Sequence, residues 1–309
     1  MRISTAWYQQ LNVTAMQNQQ AKMAKTNLQL ASGLKNLTPA DDPVAAAKDL
    51  SLQATLAQTT QYQENINAVK TNNTLEDSTL NHAVEVLQTA RELAVKSLNS
   101  GGLRDVDKQA IGQEVQQILG NMLGLANTTN ASGEYIFSGY QSKTAAFKED
   151  ASITPKSYVY QGGTEQRSLQ VSAGRQIADG DPGSDVFAFK DVNGNSQNIF
   201  NALSNFADAL ANPNPATDQA VLSKVLNDLD SGLQTLSATQ AKTGSRLKAL
   251  DVQQSQNEKY MVDTKSSLSD SQDLDYAEAI SRFTQQQTVL QAAQQSFSKV
   301  QKLSLFDYL

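Results

Sequence analysis

Cysteine is absent from all 309 residues, which removes disulfides and thiolate metal sites together. Histidine is nearly absent. His82 stands alone, so most zinc sites and most nucleophile–base triads go with it. The formal net charge is −6 with a pI near 4.9, and clustered Lys and Arg of the kind that hold nucleic acid are missing. No apolar run approaches the roughly 18 residues that a membrane-spanning helix needs. The N-terminus carries one basic residue, Arg2, but no apolar core of a cleavable signal, so export would use a route that keeps this terminus. Proline occurs only at 39, 43, 155, 182, 213 and 215, which leaves long intervals free of helix breakers.

What fills those intervals is Gln, Asn, Ser, Thr and Ala, with hydrophobic content of only 39%. That balance suits long solvated helices with thin apolar stripes. The spacing predicts a first helix over about residues 4–32, with Gly33 as its C-cap. Asp42 then fits an N-cap and Pro43 the first helical position. From Val44 a rod of some fifty residues follows, ended by Ser100, Gly101 and Gly102. Asp105 reads as the cap of a further helix, with Ile111, Val115, Ile118, Met122 and Leu125 as its seam.

Between Gly133 and Gln197 the texture changes to short alternating runs punctuated by Gly and Pro. Strands are predicted at 135–137, near Phe147, and at 158–160, 169–171 and 186–189. Helix resumes at Asn198 and breaks at Asn212 to Pro215. From Thr217 a second rod carries Leu226, Leu229, Leu233, Leu236, Gln240, Thr243, Leu247, Leu250, Gln254, Asn257, Met261, Thr264 and Leu268 at alternating steps of three and four. That is the seam of a coiled coil. The expected class is therefore mainly α: a long antiparallel coiled coil or helical bundle formed by the N- and C-terminal halves, with a small β-rich insertion. Its parts are terminal arms at 1–38 plus 274–309, a rod domain at 39–132 plus 198–273, and the insertion at 133–197.

The C-terminal arm spaces Tyr276, Phe283, Leu290 and Phe297 one heptad apart, beside a second row of Ile280, Gln287, Gln294 and Gln301. Half of that seam is glutamine. The bland reading is an ordinary amphipathic helix with exposed amides; the sharper one is a helix whose core other chains complete. The N-terminal arm holds Arg2, Lys22, Lys25 and Lys35 and no acid, whereas the C-terminal arm opens with Asp273, Asp275 and Glu278, so the two should pack together. Such arms bury too little surface alone and should order on assembly, covering Trp7, Leu11, Ile280, Phe283, Leu290, Phe297 and Leu303.

Fragments that imitate chemistry do not survive inspection. Asp191, Asn193 and Asn195 open like an EF-hand loop, but Ser196 and Ala202 stand where Gly and Glu belong; a tight turn is expected instead. Ser32 and Lys35 match Ser-x-x-Lys without the companion motifs. No paired carboxylate, phosphate loop or activated nucleophile is recognisable, so no catalytic, cofactor-binding or metal-binding residue is assigned and no enzyme is expected.

Several segments in sequence order resemble the flagellin superfamily and, within it, the hook–filament junction proteins. They are MRIST at 1–5, SGLKNLTPADDP at 32–43, RELAV at 91–95, GEYIFSGY at 133–140, YVYQG at 158–162, PGSDVF at 182–187, DYAEAI at 275–280 and LSLFDYL at 303–309. The resemblance implies a secreted, extracellular axial protein of the bacterial flagellum, exported unfolded through the flagellar type III channel. It implies, as partners, the first hook-associated protein, flagellin, other copies of the chain in a ring, and a cytoplasmic export chaperone on the C-terminal arm, with neither nucleic acid nor membrane. A filament flagellin, or a secreted coiled-coil adhesin or translocator, is the alternative.

Overall fold

The computed structural model describes residues 2–99, 104–150, 152, 156–211 and 218–306, with the side chains of 2–6, 218 and 300–306 outside that description. The Ser100 to Gly102 stop and the Asn212 to Pro215 break lie outside the described residues. The elements in order are α1 (Arg2–Ser32), α2 (Pro43–Asn99), α3 (Asp105–Ala126), β1 (Phe147–Asp150), β2 (Ser157–Tyr160), β3 (Ser168–Ser172), β4 (Arg175–Ala178), α4 (Gly183–Val186), β5 (Ala188–Lys190), β6 (Ser196–Asn198), α5 (Ile199–Ala211), α6 (Asp218–Gln272) and α7 (Tyr276–Phe306). The chain is mainly α, with long terminal helices and short antiparallel strands between them. Among the described residues no helix is long and apolar enough to cross a membrane.

The chain forms two compact units, one of Met1–Gln58 with Lys259–Leu309 and one of Thr59–Glu258. In the second unit, Tyr62, Ile66, Val69, Asn73, Glu76, Leu80, Ala83, Leu87, Ala90, Ala94 and Ser97 are covered positions of α2 at alternating steps of four and three, with Thr59 and Thr79 buried as well. α6 runs antiparallel to it in constant register: Gln63 Nε2 donates to Glu258 Oε1 (3.3 Å), Lys70 Nζ to Asp251 Oδ1 (2.6 Å), Gln240 Nε2 to Asn81 Oδ1 (2.5 Å) and Arg91 Nε to Asp230 Oδ1.

The second row of the α6 seam differs from the one read off the sequence. Leu229, Leu236, Thr243, Leu250 and Asn257 are buried as expected, but their companions are Val225, Gly232, Arg246 and Gln253. Leu233 and Leu247 stay half-buried at the flank. Gly232 is needed there because a Cβ would stand 2.9 Å from Ile199 Cγ1.

The strands form three separate two-stranded antiparallel hairpins, β1–β2, β3–β4 and β5–β6. Residues 135–137 are not a strand: Tyr135 makes one isolated bridge to Thr129, and the apolar alternation there reflects burial of Phe137. The segment's aromatics feed the core of the unit: Phe147 packs at a tilt against Phe200 with centroids 4.5 Å apart, and Phe137 meets Phe187 edge-on at 5.1 Å. Leu87, Met122, Leu203 and Phe206 complete the same core. Ile66, Val69, Val171, Ile177 and Leu250 form a smaller one under β3–β4. The Asn193–Gly194 stretch turns the β5–β6 hairpin, with Gly194 at φ +81° and Asp191 Oδ1 accepting from the N–H groups of Asn193 and Asn195 at 2.9 Å each. Asp105 is not the cap of α3: Arg104, with extended backbone, holds that position, and Asp105 begins the helix.

Candidate functional site

In the first unit α1 packs against α7, and the join is built from backbone geometry. α1 ends where Gly33 turns left-handed at φ +72°, its N–H donating to Gln29 O at 2.8 Å. Leu34 then bridges Asp273: Lys35 N–H donates to Gln272 O (2.8 Å) and Leu274 N–H to Gly33 O (2.9 Å). Asp275 caps α7, its Oδ1 accepting from the N–H groups of Ala277 (2.9 Å) and Glu278 (3.1 Å). Tyr276 closes over the join, its hydroxyl 2.9 Å from where a Cβ on Gly33 would stand.

The loop leading into α2 works by two adjacent carboxylates. Asp42 Oδ1 caps α2 through the N–H groups of Val44 (3.1 Å) and Ala45 (3.0 Å). Asp41 Oδ2 accepts from Leu37 N–H, Thr38 N–H and the Thr38 hydroxyl, while its Oδ1 takes Lys25 Nζ at 2.5 Å. The lysine and the backbone donors together hold the Asp41 carboxyl down at about 2.

The α1–α7 seam is thin. Its covered face alternates by four and three through Asn12, Met16, Gln19, Met23, Thr26 and Leu30 on α1, and through Ala279, Phe283, Gln286, Leu290, Ala293 and Phe297 on α7. The companion row of α7 is therefore Ala279, Gln286 and Ala293 rather than the expected Ile280, Gln287 and Gln294. A gap of about 300 Å3 remains between the helices, lined by Tyr8, Asn12, Met16, Gln19, Val289, Ala293 and Phe297 among others. Gln19 Nε2 reaches Gln286 O at 3.3 Å, yet Gln286 Oε1 and Arg282 Nε are buried without a partner.

The seven residues proposed from sequence as an assembly surface fall into distinct places. Trp7 (67% exposed), Leu11 (47%) and Ile280 (55%) lie off the seam in solvent. Phe283 and Phe297 are half-buried and Leu290 is buried within the pair. Leu303 belongs to α7, but its side chain is outside the described residues. Sequence reasoning missed Tyr8, Leu28 and Val289, which are also exposed. Among the described residues of this unit, only Leu274, Ala279 and Leu290 are fully buried apolar side chains.

The second unit holds a dense charge cluster. Arg246 donates Nη1–H to Asn73 Oδ1 (2.7 Å) and Nη2–H to both oxygens of Asp181 (3.1 and 2.9 Å), and Lys242 Nζ reaches Asp181 Oδ1 at 2.8 Å. Glu76 Oε2 lies 3.7 Å from Arg246 Nη1 without a hydrogen bond of its own. Burial first, and the Asp181 charge second, push the Glu76 carboxyl up to about 8. Beside it Asp179 binds Asn72 and Arg167. Sequence patterning gave no hint of this cluster beyond Asn73 and Glu76 interrupting an apolar row. Among the described residues, no group of three or more His, Cys, Asp or Glu is placed to hold a metal ion.

Comparison with known proteins fits this architecture. The bacterial flagellin N-terminal helical region matches residues 3–142 and the flagellin C-terminal helical region matches 220–309. Flagellar hook-associated protein 3 of Escherichia coli K12 is 32% identical over 320 aligned residues, covering 99% of each chain. Two solved structures share the fold. Flagellar hook-associated protein 3 from Legionella pneumophila superposes with a TM-score of 0.66 at 18% identity, over 71% of this chain and 97% of that one. The flagellar junction protein FlgL from the same organism gives 0.60 at 19%, over 73% and 99%.

Proposed function

The chain belongs to the flagellar hook-associated protein 3 family, and on that premise we propose that it is a structural subunit of the hook–filament junction, whose terminal helices are completed by neighbouring subunits. Family membership makes it a component of the bacterial flagellum that associates with other flagellar proteins. The finer reading is a ring of copies between the first hook-associated protein and the flagellin filament, with the arms lining the central channel. The subunit reaches the cell exterior unfolded through the flagellar export channel, with a cytoplasmic chaperone on its C-terminal arm. Its role is architectural rather than catalytic.

One observation carries this reading: the first unit leaves Trp7, Leu11 and Ile280 in solvent while burying almost no apolar side chain. Ordering a residue costs about 1–2 kcal/mol, whereas covering one large apolar side chain returns about 1.5–3 kcal/mol. A pair of helices whose seam is interrupted by Asn12, Gln19, Thr26, Gln286 and the small Ala279 and Ala293 falls short of that balance, and neighbouring arms make up the difference. The ionisable cluster around Arg246 supports the architectural reading, since its donors and acceptors tie α2, α6 and the 179–181 turn to one another.

The test is reconstitution. Purified full-length chain is added to hook stubs carrying the first hook-associated protein, followed by flagellin. Formation of a short ring that then nucleates filament growth is the expected result. Self-polymerisation into long filaments without a stub would overturn the junction reading in favour of a filament flagellin.

A further inference from the structure

Asp49 lies on the second turn of α2, only 8% exposed, and its Oδ1 is buried with no hydrogen-bond partner. It lies in the lining of an open cleft of about 420 Å3 within the first unit. The apolar walls are Leu34, Leu37, Pro39 and Leu50, of which Leu34 and Leu50 are exposed. A carboxylate oxygen deprived of both water and a donor is disfavoured, so this arrangement is half of a pair. A cleft with apolar walls and an acid in its lining matches an aliphatic stem ending in an ammonium group.

We propose that the cleft receives Lys22 from the N-terminal arm of a second copy of this chain. Charge complementarity selects that occupant. Residues 1–38 hold four cations, Arg2, Lys22, Lys25 and Lys35, and no acid. Lys25 is already held by Asp41 at 2.5 Å, and Lys35 sits on the loop that forms the wall of the cleft itself. Lys22 is exposed, projects from α1, and has no acid partner among the described residues. Its entry lays the stem against Leu34 and Leu50 and brings Nζ to the Asp49 carboxylate. The site is a register device: an apolar arm could slide along its neighbour, and a desolvated ion pair fixes where it stops.

The inference rests on the reading that copies of the chain associate. The experiment mixes 14N- and 15N-labelled full-length protein at concentrations where copies associate, applies a zero-length carbodiimide cross-linker, and maps linked peptides by mass spectrometry. The expected product is an Asp49–Lys22 link of mixed isotope composition, lost in Lys22→Gln. In parallel, Asp49→Leu should raise the melting temperature of the monomer, because the buried, unpartnered Oδ1 is gone. It should also weaken copy–copy association about tenfold or more. A merely structural Asp49 would lower both. Association with no mixed Asp49 link, or with affinity unchanged in Asp49→Leu, overturns this inference alone. A chain that never associates under any condition overturns the inference and the ring reading together.

Discussion

Asp181 donates its backbone N–H to Glu76 Oε1 at 3.2 Å, so two carboxylates lie side by side in the interior, 2% and 1% exposed. Arg246 and Lys242 both bind Asp181. Glu76, with its carboxyl raised to about 8, is held mainly in the neutral form at neutral pH.

The sign of the consequence follows from linkage. The folded state binds the Glu76 proton more tightly than the unfolded chain does, so stability falls as pH rises from about 4.5 towards 8 and levels off above it. Urea melts from pH 5 to 9 should show this decline, and Glu76→Gln should flatten it, gaining on the order of 1 kcal/mol or more over the parent at pH 8.5. Parallel pH profiles for parent and variant would contradict the assignment.

Phe283→Asp places a charge in the half-buried α1–α7 seam, and Trp7→Asp places one on the open side of α1. Both variants should abolish ring formation on hook stubs. Only Phe283→Asp should also loosen the arm pair in the isolated chain, while the helicity of the second unit stays intact in both. Circular dichroism with the stub assay distinguishes them; a normal ring from Trp7→Asp would show that its exposed face is idle.

Gly33→Ala meets two obstacles, a left-handed backbone and the Tyr276 hydroxyl. A cost of about 1–2 kcal/mol is expected, confined to the arm pair. Tyr276→Phe should recover only the steric part. Amide exchange at α1 and α7, read against α2 and α3, reports the locality; equal loss in both units would contradict it.

Gly232→Ala should destabilise the second unit by about 1–3 kcal/mol despite alanine's better helix propensity, since the new Cβ meets Ile199 at 2.9 Å. Ile199→Val in the same chain removes only the Cδ1 at 3.4 Å and keeps the Cγ1 at 2.9 Å, so it should restore little of that loss. Denaturant midpoints measure both, and a stabilised Gly232→Ala protein would show that the helix spacing yields at no cost.

Helix placement was legible in the sequence because breakers and caps are local: Gly33, Asp42 and Pro43 act where their chemistry says. One seam row of α6 and α7 was equally legible, through Leu229, Leu236 and Leu250 and through Phe283, Leu290 and Phe297. The companion rows were not. Their occupants, Gly232, Arg246 and Gln253 on α6 and Ala279, Gln286 and Ala293 on α7, are small or polar, and hydropathy assigns such residues to solvent. What puts them inside is tertiary: Ile199 needs the space at Gly232, and Asp181 with Asn73 satisfies Arg246. Ile280 was assigned to the seam for the same reason in reverse. Strand pairing was partly hidden too, because burial of Phe137 and Phe187 among aromatics imitates strand alternation. Trp7 and Leu11 could be proposed for assembly from their row in α1, but only the structure separates them, as exposed side chains, from Leu290, which the chain already covers.

The most direct measurement is amide hydrogen exchange on the full-length chain, first isolated and then in reconstituted rings, comparing α1 and α7 with α2 and α3. Helices completed by neighbours should exchange rapidly at residues 7–30 and 279–299 in the isolated chain and slow by orders of magnitude in the ring, with α3 protected in both. Arms as protected in the isolated chain as the helix around Leu87 would contradict the account.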